Sequence, residues 1–237
     1  MLPLIFKNLS KRNLIRLIKL RSYFRKFHSL NKLDEALSVL LPHKNGYYVE
    51  IGANDGISQS NSLYFERKKN WSGILVEPDK HNFRLLTRNR KKRNKFFNCA
   101  CVSFDFKENF IKFIYSNLMS VTINDKSEFD KVNTHALSGM QFLAKDEIIK
   151  TYLVPAMNLE SILEKANAPS LMDFFSLDVE GHELEVLKGL NHTKFRFKYI
   201  LIETSEFATI SSFLNNARYH FIEKLSHHDY LFKNADL

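Results

Sequence analysis

Glycine is scarce in this chain. Its 237 residues contain seven, at positions 46, 52, 56, 73, 139, 181 and 189. So few glycines are placed where a turn or a close backbone approach needs them, and all but Gly139 mark the edge of an apolar run. Cysteine is scarcer still: Cys99 and Cys101 are the only two. They lie too close to bridge in an extended segment, so a disulfide scaffold is excluded. No apolar run approaches the roughly 18 residues of a membrane-spanning helix. Lys7, Lys11 and Arg12 interrupt the start, leaving no apolar core for a secretory signal. A reduced, cytoplasmic protein is the expectation.

Acid is missing from one region altogether. Residues 1–33 hold Lys7, Lys11, Arg12, Arg16, Lys19, Arg21, Arg25, Lys26 and Lys32, and Asp34 is the first carboxylate. The whole chain has 35 basic and 26 acidic residues, a formal charge of +9. Over residues 34–237, 26 basic residues face 26 acids, so the surplus belongs entirely to the N-terminal arm. Leu14, Leu17, Ile18, Phe24 and Phe27 recur there at helical spacing among the cations. This pattern predicts a basic amphipathic helix over an arm of residues 1–40. Such a helix either caps the main domain of residues 41–237 or makes peripheral contact with the inner face of a membrane.

A hydrophobic fraction of 44 % with 21 Phe and 9 Tyr supports a sizeable core. Apolar strands alternate with helices from Tyr47 onward, which predicts an α/β fold with a parallel sheet covered on both faces. The predicted strands are Tyr47–Ile51, Ile74–Glu77, Phe96–Val102, Met172–Val179 and Lys198–Thr204, followed by a terminal hairpin around His227-His228-Asp229. Helices are predicted at Tyr64–Lys69, Asp79 to about Arg93, Leu159–Lys165 and between Gly181 and Gly189. Residues 103–150 are less regular, with an aromatic strand pattern at Phe110–Ser116 and then a polar stretch that reads as an insertion.

The sharpest motif is Val49-Glu50-Ile51-Gly52-Ala53-Asn54-Asp55-Gly56, at the end of the first strand. Its glycines allow a ligand to approach the backbone at the carboxyl edge of the sheet. The phosphate-binding patterns G-x-G-x-x-G and G-K-[ST] are absent, and Glu50 and Asp55 would repel a pyrophosphate. They suit a ligand carrying an ammonium and a sulfonium, S-adenosylmethionine. Glu77, 25 residues after Gly52 and followed by Pro78, is placed to accept both hydroxyls of a ribose. Asn98-Cys99-Ala100 offers a loop backbone to an adenine edge. At a second apolar strand tip, Asp178 and Glu180 point the same way, and His182 beside them is a candidate general base.

These motifs resemble the FkbM family of S-adenosylmethionine-dependent methyltransferases. The resemblance is carried by Val49 to Gly56, Ser60-Asn61-Ser62-Leu63-Tyr64-Phe65-Glu66, Gly73-Ile74-Leu75-Val76-Glu77-Pro78 and Leu177 to Gly189, over about residues 46–204. It implies a class I methyltransferase (Rossmann-like) fold, a seven-stranded mostly parallel sheet with an antiparallel last strand. It also implies O-methylation of a sugar or glycan-type hydroxyl. By position, Gly52, Asn54, Asp55 and Gly56 wrap the methionine end, Ser60 and Asn61 hold its carboxylate, Glu77 takes the ribose, and Asp178 the methionine or acceptor side.

A sugar hydroxyl must lose its proton as the new bond forms, and Glu180, His182 and Glu203 are the candidate bases. A divalent metal on Asp178 and Glu180 is an alternative means of acidifying it. No zinc-type His/Cys cluster occurs. Aromatic and basic residues between 106 and 120, with the insertion, are expected to shape the acceptor pocket. Two other readings compete. One is a non-catalytic methyltransferase-like module tethered at a membrane or glycan-assembly complex. The other is a nucleic-acid methyltransferase, suggested by Arg84, Arg88, Arg90, Lys91, Lys92, Arg93 and Lys95. That run reads as a solvated helix face. No Pro-Pro pair of an amine-methylating motif and no Cys beside Pro occurs, so nucleic acid is not the expected acceptor.

Overall fold

Residue-to-residue alternation along the central strands decides the architecture. In β1 (Tyr47–Ile51), Tyr48 and Val49 point to opposite faces, and both are fully buried. A strand covered on both sides requires helices on both sides. The computed structural model describes residues 10–116, 120–123, 143, 145 and 148–237. Helix α1 spans Lys11–Phe24 and α2 Leu33–Leu40. After β1 come α3 (Leu63–Lys69), β2 (Ser72–Val76), α4 (Lys80–Asn89), β3 (Lys95–Phe97), β4 (Ala100–Val102), β5 (Phe110–Tyr115) and β6 (Val121–Ile123). The chain continues through β7 (Lys150–Asn158), α5 (Leu159–Lys165), β8 (Leu171–Leu177), α6 (Glu183–Leu187), β9 (Arg196–Glu203), α7 (Phe207–Asn216), β10 (Tyr219–Lys224) and β11 (Asp229–Asn234).

Seven strands form the main sheet in the order β10-β11-β9-β8-β1-β2-β3. β1 pairs in parallel with both β2 and β8. β11 slots antiparallel between β9 and β10. This is the expected class I methyltransferase sheet, with its last strand alone reversed. On one face Val49, Ile74, Phe175 and Ile200 pack with Leu159, Ile162, Val186 and Ile210 from α5, α6 and α7. On the other, Tyr48, Leu75, Phe174 and Leu201 pack with Leu37, Phe65 and Leu86 from α2, α3 and α4. Leu33 and Leu37 therefore belong to the main core, although they fall within the expected arm of residues 1–40.

Two predicted elements divide differently. The run Phe96–Val102 is not one strand. β3 ends at Phe97 and pairs with β2, whereas β4 starts at Ala100 and pairs with β7 in a second sheet. Asn98 makes the break: its side-chain amide donates to the carbonyls of Glu77 (2.8 Å) and Pro78 (2.9 Å). Helix α4 stops at Asn89, short of Arg93, because Arg90 turns to an extended conformation (φ −103°, ψ 157°) and sends its side chain inward.

The second sheet, β4-β7-β5-β6, takes β5 and β6 from the less regular region 103–150, β5 on its aromatic strand pattern, and β4 and β7 from either side of it. Its own core holds Val102, Ile111, Phe113 and Val154. The polar stretch within 124–142 lies outside the described residues.

Candidate active site

The strand order reverses at β1, whose neighbours β2 and β8 lie on opposite sides of it. A crevice opens there at the carboxyl ends of the strands, the usual ligand position in such sheets. It is an open cleft, about 930 Å³ when the space continuous with solvent at its mouth is included, lined from β1, β2 and β8 and by β4, β5 and β6 of the second sheet. Gly52, at φ +84°, makes the crevice possible. A Cβ built on it would lie 1.8 Å from the Asp178 carbonyl oxygen, so any side chain here would drive the β1 and β8 tips apart.

Of the residues singled out above, Glu50, Gly52, Asn54, Ser60, Asn61, Glu77, Pro78, Ala100, Asp178, Glu180 and His182 line the cavity. Asp55, Gly56 and Glu203 do not line it. Asp55 is turned into its own loop, accepting from the amides of Ile57 (2.8 Å) and Ser58 (2.7 Å) and from the Ser58 hydroxyl. Gly56 lies against Leu86 and Arg90 instead. Glu203 sits behind Asp178, in hydrogen-bond contact with it.

Glu50 and Ser60 reach the cavity wall, but their polar groups are already engaged. Glu50 accepts from the Ser60 hydroxyl (3.0 Å), the Ser62 hydroxyl (2.6 Å), the Asn61 amide (2.9 Å) and Arg90 (3.3 Å). Arg90 was the surprise of the basic run. Its side chain is fully buried, and its Nε also donates to Glu66 (2.9 Å). Its remaining N–H groups reach the Tyr48 hydroxyl and Ser62 (both 2.8 Å), Ser60 (3.1 Å) and the Gly56 carbonyl. One guanidinium thus ties the tip of β1, the glycine turn and α3 into a single unit. Other members of that run, including Arg84, Arg88, Lys91 and Lys92, are exposed as expected.

Glu77 is held for a different task. One oxygen accepts from the Asn54 amide and the other from the Asp79 amide, each at 2.8 Å, leaving lone pairs on both oxygens. Burial pushes its carboxyl up to about 8, against the effect of those amides. Asp79, at the start of the predicted helix, is the N-cap of α4 and accepts from the Asn82 amide (2.6 Å). It also takes a hydrogen bond from Tyr152 of β7.

The tip of β8 is more heavily acidic. Burial raises the Asp178 carboxyl well above its usual range, and Glu180, Glu203, Glu183 and Asp229 push it in the same direction. Glu203 rises to about 7 through burial and then Asp229 and Glu180. A hydrogen bond between two such carboxyls requires one shared proton. Glu180 (φ +56°) and Gly181 (φ +100°) are consecutive left-handed residues, a conformation that a non-glycine residue rarely adopts. His182 is buried, and desolvation lowers its imidazole to about 4. It is neutral and weakly basic at neutral pH, a poor match to the general-base role considered for it.

Sequence reasoning missed Ser58, Gln59, Asn82, Cys101, Ser120, Thr122 and Ser176 on the cavity wall, whereas Cys99, offered with Asn98 and Ala100, lines it. Asn82 was legible from its spacing after the helix-capping Asp79. Phe113, one of the aromatic residues between 106 and 120 singled out above, lines the cavity, whereas Thr122 was not legible because only the second sheet brings it in. No Lys or Arg occurs among the described residues lining the cavity, whereas Glu77, Asp178 and Glu180 do. Two buried polar atoms without a partner, Asn61 Oδ1 and Thr122 Oγ1, belong to lining residues. An acidic wall with spare acceptors and a glycine open to close approach fits S-adenosylmethionine and disfavours a phosphate-rich ligand. Among the described residues, no three His, Cys, Asp or Glu side chains are arranged to hold a metal ion.

Comparison with known proteins agrees with this geometry. The Methyltransferase FkbM domain matches residues 50–232. A search of curated proteins finds no match. Among solved structures, a methyltransferase from Geobacter sulfurreducens is similar at 11 % identity and a TM-score of 0.43, covering 93 % of this chain and 85 % of that one. The METTL16 MTase domain aligns at 10 % identity and 0.46, over 86 % of this chain and 66 % of that one. A precorrin-6y C5,15-methyltransferase from Geobacter metallireducens aligns at 11 % and 0.39, over 87 % and 92 %. Likeness this distant carries no argument about the substrate. The match over residues 50–232 does establish the family: this chain belongs to the FkbM methyltransferases, enzymes dependent on S-adenosylmethionine.

Proposed function

We propose that the protein transfers a methyl group to a hydroxyl of a sugar or glycan-type acceptor. The observation that carries this reading is the cavity wall, where Glu77, Asp178 and Glu180 stand together with no Lys or Arg among the described lining residues. Such a wall favours a cationic cofactor beside a neutral, hydroxyl-bearing acceptor and disfavours a polyanionic one.

When bound, S-adenosylmethionine supplies an electrophilic methyl group. The chain's residues position, exclude water and accept a proton. Glu77 receives the ribose hydroxyls on its free lone pairs. Gly52 and Asn54 form the turn around the methionine end. Asn61 Oδ1, unpaired in its buried position, accepts from the ammonium, a different task from the carboxylate contact first expected for Asn61. Ser60 is committed to Glu50 and Arg90 and acts through them. Glu180 takes the hydroxyl proton, since it lines the cavity directly while Glu203 reaches it only through Asp178. The second sheet, through Phe113 and Thr122, forms the acceptor side.

The test is transfer of a tritiated methyl group to separated glycan, nucleic-acid and protein fractions. Label in the glycan fraction, lost in Glu180→Gln, supports the assignment. Label in nucleic acid or protein instead rejects it.

A further inference from the structure

Helix α1 has two faces, and among the described residues only one of them packs against the fold. Leu14 and Ser22 are buried against the domain, with Ile15, Leu17 and Ile18 half-buried beside them. Arg67 donates to the Ser22 carbonyl (2.9 Å), and Lys11 donates to the Tyr115 hydroxyl (2.9 Å). These contacts fix which face looks outward. That face carries Leu20, Tyr23 and Phe24, which are 59 %, 69 % and 85 % exposed. Arg12, Arg16, Lys19, Arg21, Arg25 and Lys26 surround them, all exposed, and no acid occurs anywhere in residues 1–33.

We infer that this outward face of α1 seats on the surface of an anionic phospholipid bilayer. The sequence periodicity alone assigned Leu14, Leu17, Ile18, Phe24 and Phe27 to one apolar stripe, but Phe24 faces outward instead. The fold spends Leu14, Leu17 and Ile18 on the domain and leaves a second apolar group outside. Residues 16, 19, 20, 23 and 24 are neighbours on a helix surface, so the cations and the apolar side chains form one patch. Lipid headgroups satisfy both halves of it: phosphates meet the arginines and lysines, while Leu20 and Phe24 enter the boundary with the acyl chains. A nucleic-acid backbone would answer the charges and leave Leu20 and Phe24 in water. The patch lies outside the cavity, so this inference stands independently of the proposed acceptor. Through Lys11 and Tyr115, α1 also abuts β5, the strand whose Phe113 lines the cavity.

The full chain is sedimented with vesicles of neutral phospholipid, of neutral lipid mixed with phosphatidylserine, and with RNA as a competing polyanion. Binding to the mixed vesicles, weakening as salt is raised, is the expected result. Each lysine or arginine near such a surface contributes about fivefold in partitioning, so Arg16→Gln with Lys19→Gln is expected to lose about thirtyfold. Leu20→Ser with Phe24→Ser is expected to lose tenfold or more. Both pairs are exposed, and an unchanged melting temperature with unchanged cofactor binding confirms that the fold survives. Absence of sedimentation with mixed vesicles overturns the inference. So does RNA binding that survives Leu20→Ser/Phe24→Ser while vesicle binding is unaffected by it.

Discussion

Replacing Arg90 with methionine probes the least visible part of the site. The substitution keeps the unbranched stem of the side chain and removes the guanidinium, a cation completely buried between Glu50 and Glu66. Both carboxylates are then left in the interior with hydroxyl and amide partners only. Removing one partner of a buried ion pair typically costs about 3–5 kcal/mol, because the remaining charge is uncompensated. For a domain of this size each kcal/mol lowers the melting temperature by about 2–4 °C, so the expected loss is roughly 6–20 °C. Exposed Arg88 is the control, and Arg88→Met should cost less than about 1 kcal/mol. The pH dependence separates lost charge from lost packing. Burial alone would raise Glu66, but the Arg90 charge and hydrogen bond, with bonds from Asn94 and Lys91, hold it below its usual range. In the parent, Glu66 therefore stabilises the fold above its ordinary pKa, and this contribution fades as the pH falls through its lowered folded value. In Arg90→Met, burial wins at Glu66 and its carboxyl takes up a proton on folding. The gap between the two proteins should be widest near neutrality and narrow toward about pH 4. Thermal unfolding by circular dichroism across that range is the assay. A loss no larger than that of Arg88→Met, or a gap independent of pH, would refute the reasoning.

Other consequences can be measured directly. Glu77 rises to about 8 when the cavity holds only the chain's own groups, and a cation and a diol both favour its ionised form. Cofactor affinity should therefore increase from about pH 6 to pH 8, by up to about tenfold per unit for one proton released. Calorimetry in buffers of different ionisation enthalpy detects that proton, and no release contradicts the assignment. Glu203→Gln removes the partner of Asp178 without touching the cavity wall. It should shift the pH profile of kcat while leaving cofactor affinity nearly unchanged, and an unaltered profile would remove Glu203 from the site. Asn98→Ala frees the tip of β2 from the break after β3 and should cost about 1–3 kcal/mol, read by chemical denaturation, together with weaker cofactor binding.

The strand tips were legible because strand periodicity and punctuation are local. An apolar run ending in Glu50-Ile51-Gly52, or in Val76-Glu77-Pro78, announces both an element and its end. What stayed hidden depends on distant pairs. Arg90 sits 40 residues from Glu50 and 24 from Glu66, and nothing in a run of cations distinguishes the one that turns inward. The break inside Phe96–Val102 is set by Asn98 reaching back to Glu77 and Pro78, against a continuous apolar pattern. Thr122 joins the cavity only because β6 pairs with β5, with Thr122 opposite Phe113. The periodicity of α1 was correct as a helix, yet it placed Phe24 on the inward stripe, whereas the fold turns Phe24 outward with Leu20 and Tyr23.

The central claim is that S-adenosylmethionine binds in the crevice formed by the close approach of β1 and β8, with Glu77 as its ribose contact. Titration calorimetry on the full chain tests this most directly, comparing the parent with Glu77→Ala and Gly52→Val. The account predicts one site with micromolar affinity in the parent. Binding should be lost in Gly52→Val, whose side chain collides with the Asp178 carbonyl, and weakened at least tenfold in Glu77→Ala by loss of charge-assisted hydrogen bonds. Absence of heat in the parent, or equal affinity in all three proteins, would contradict it.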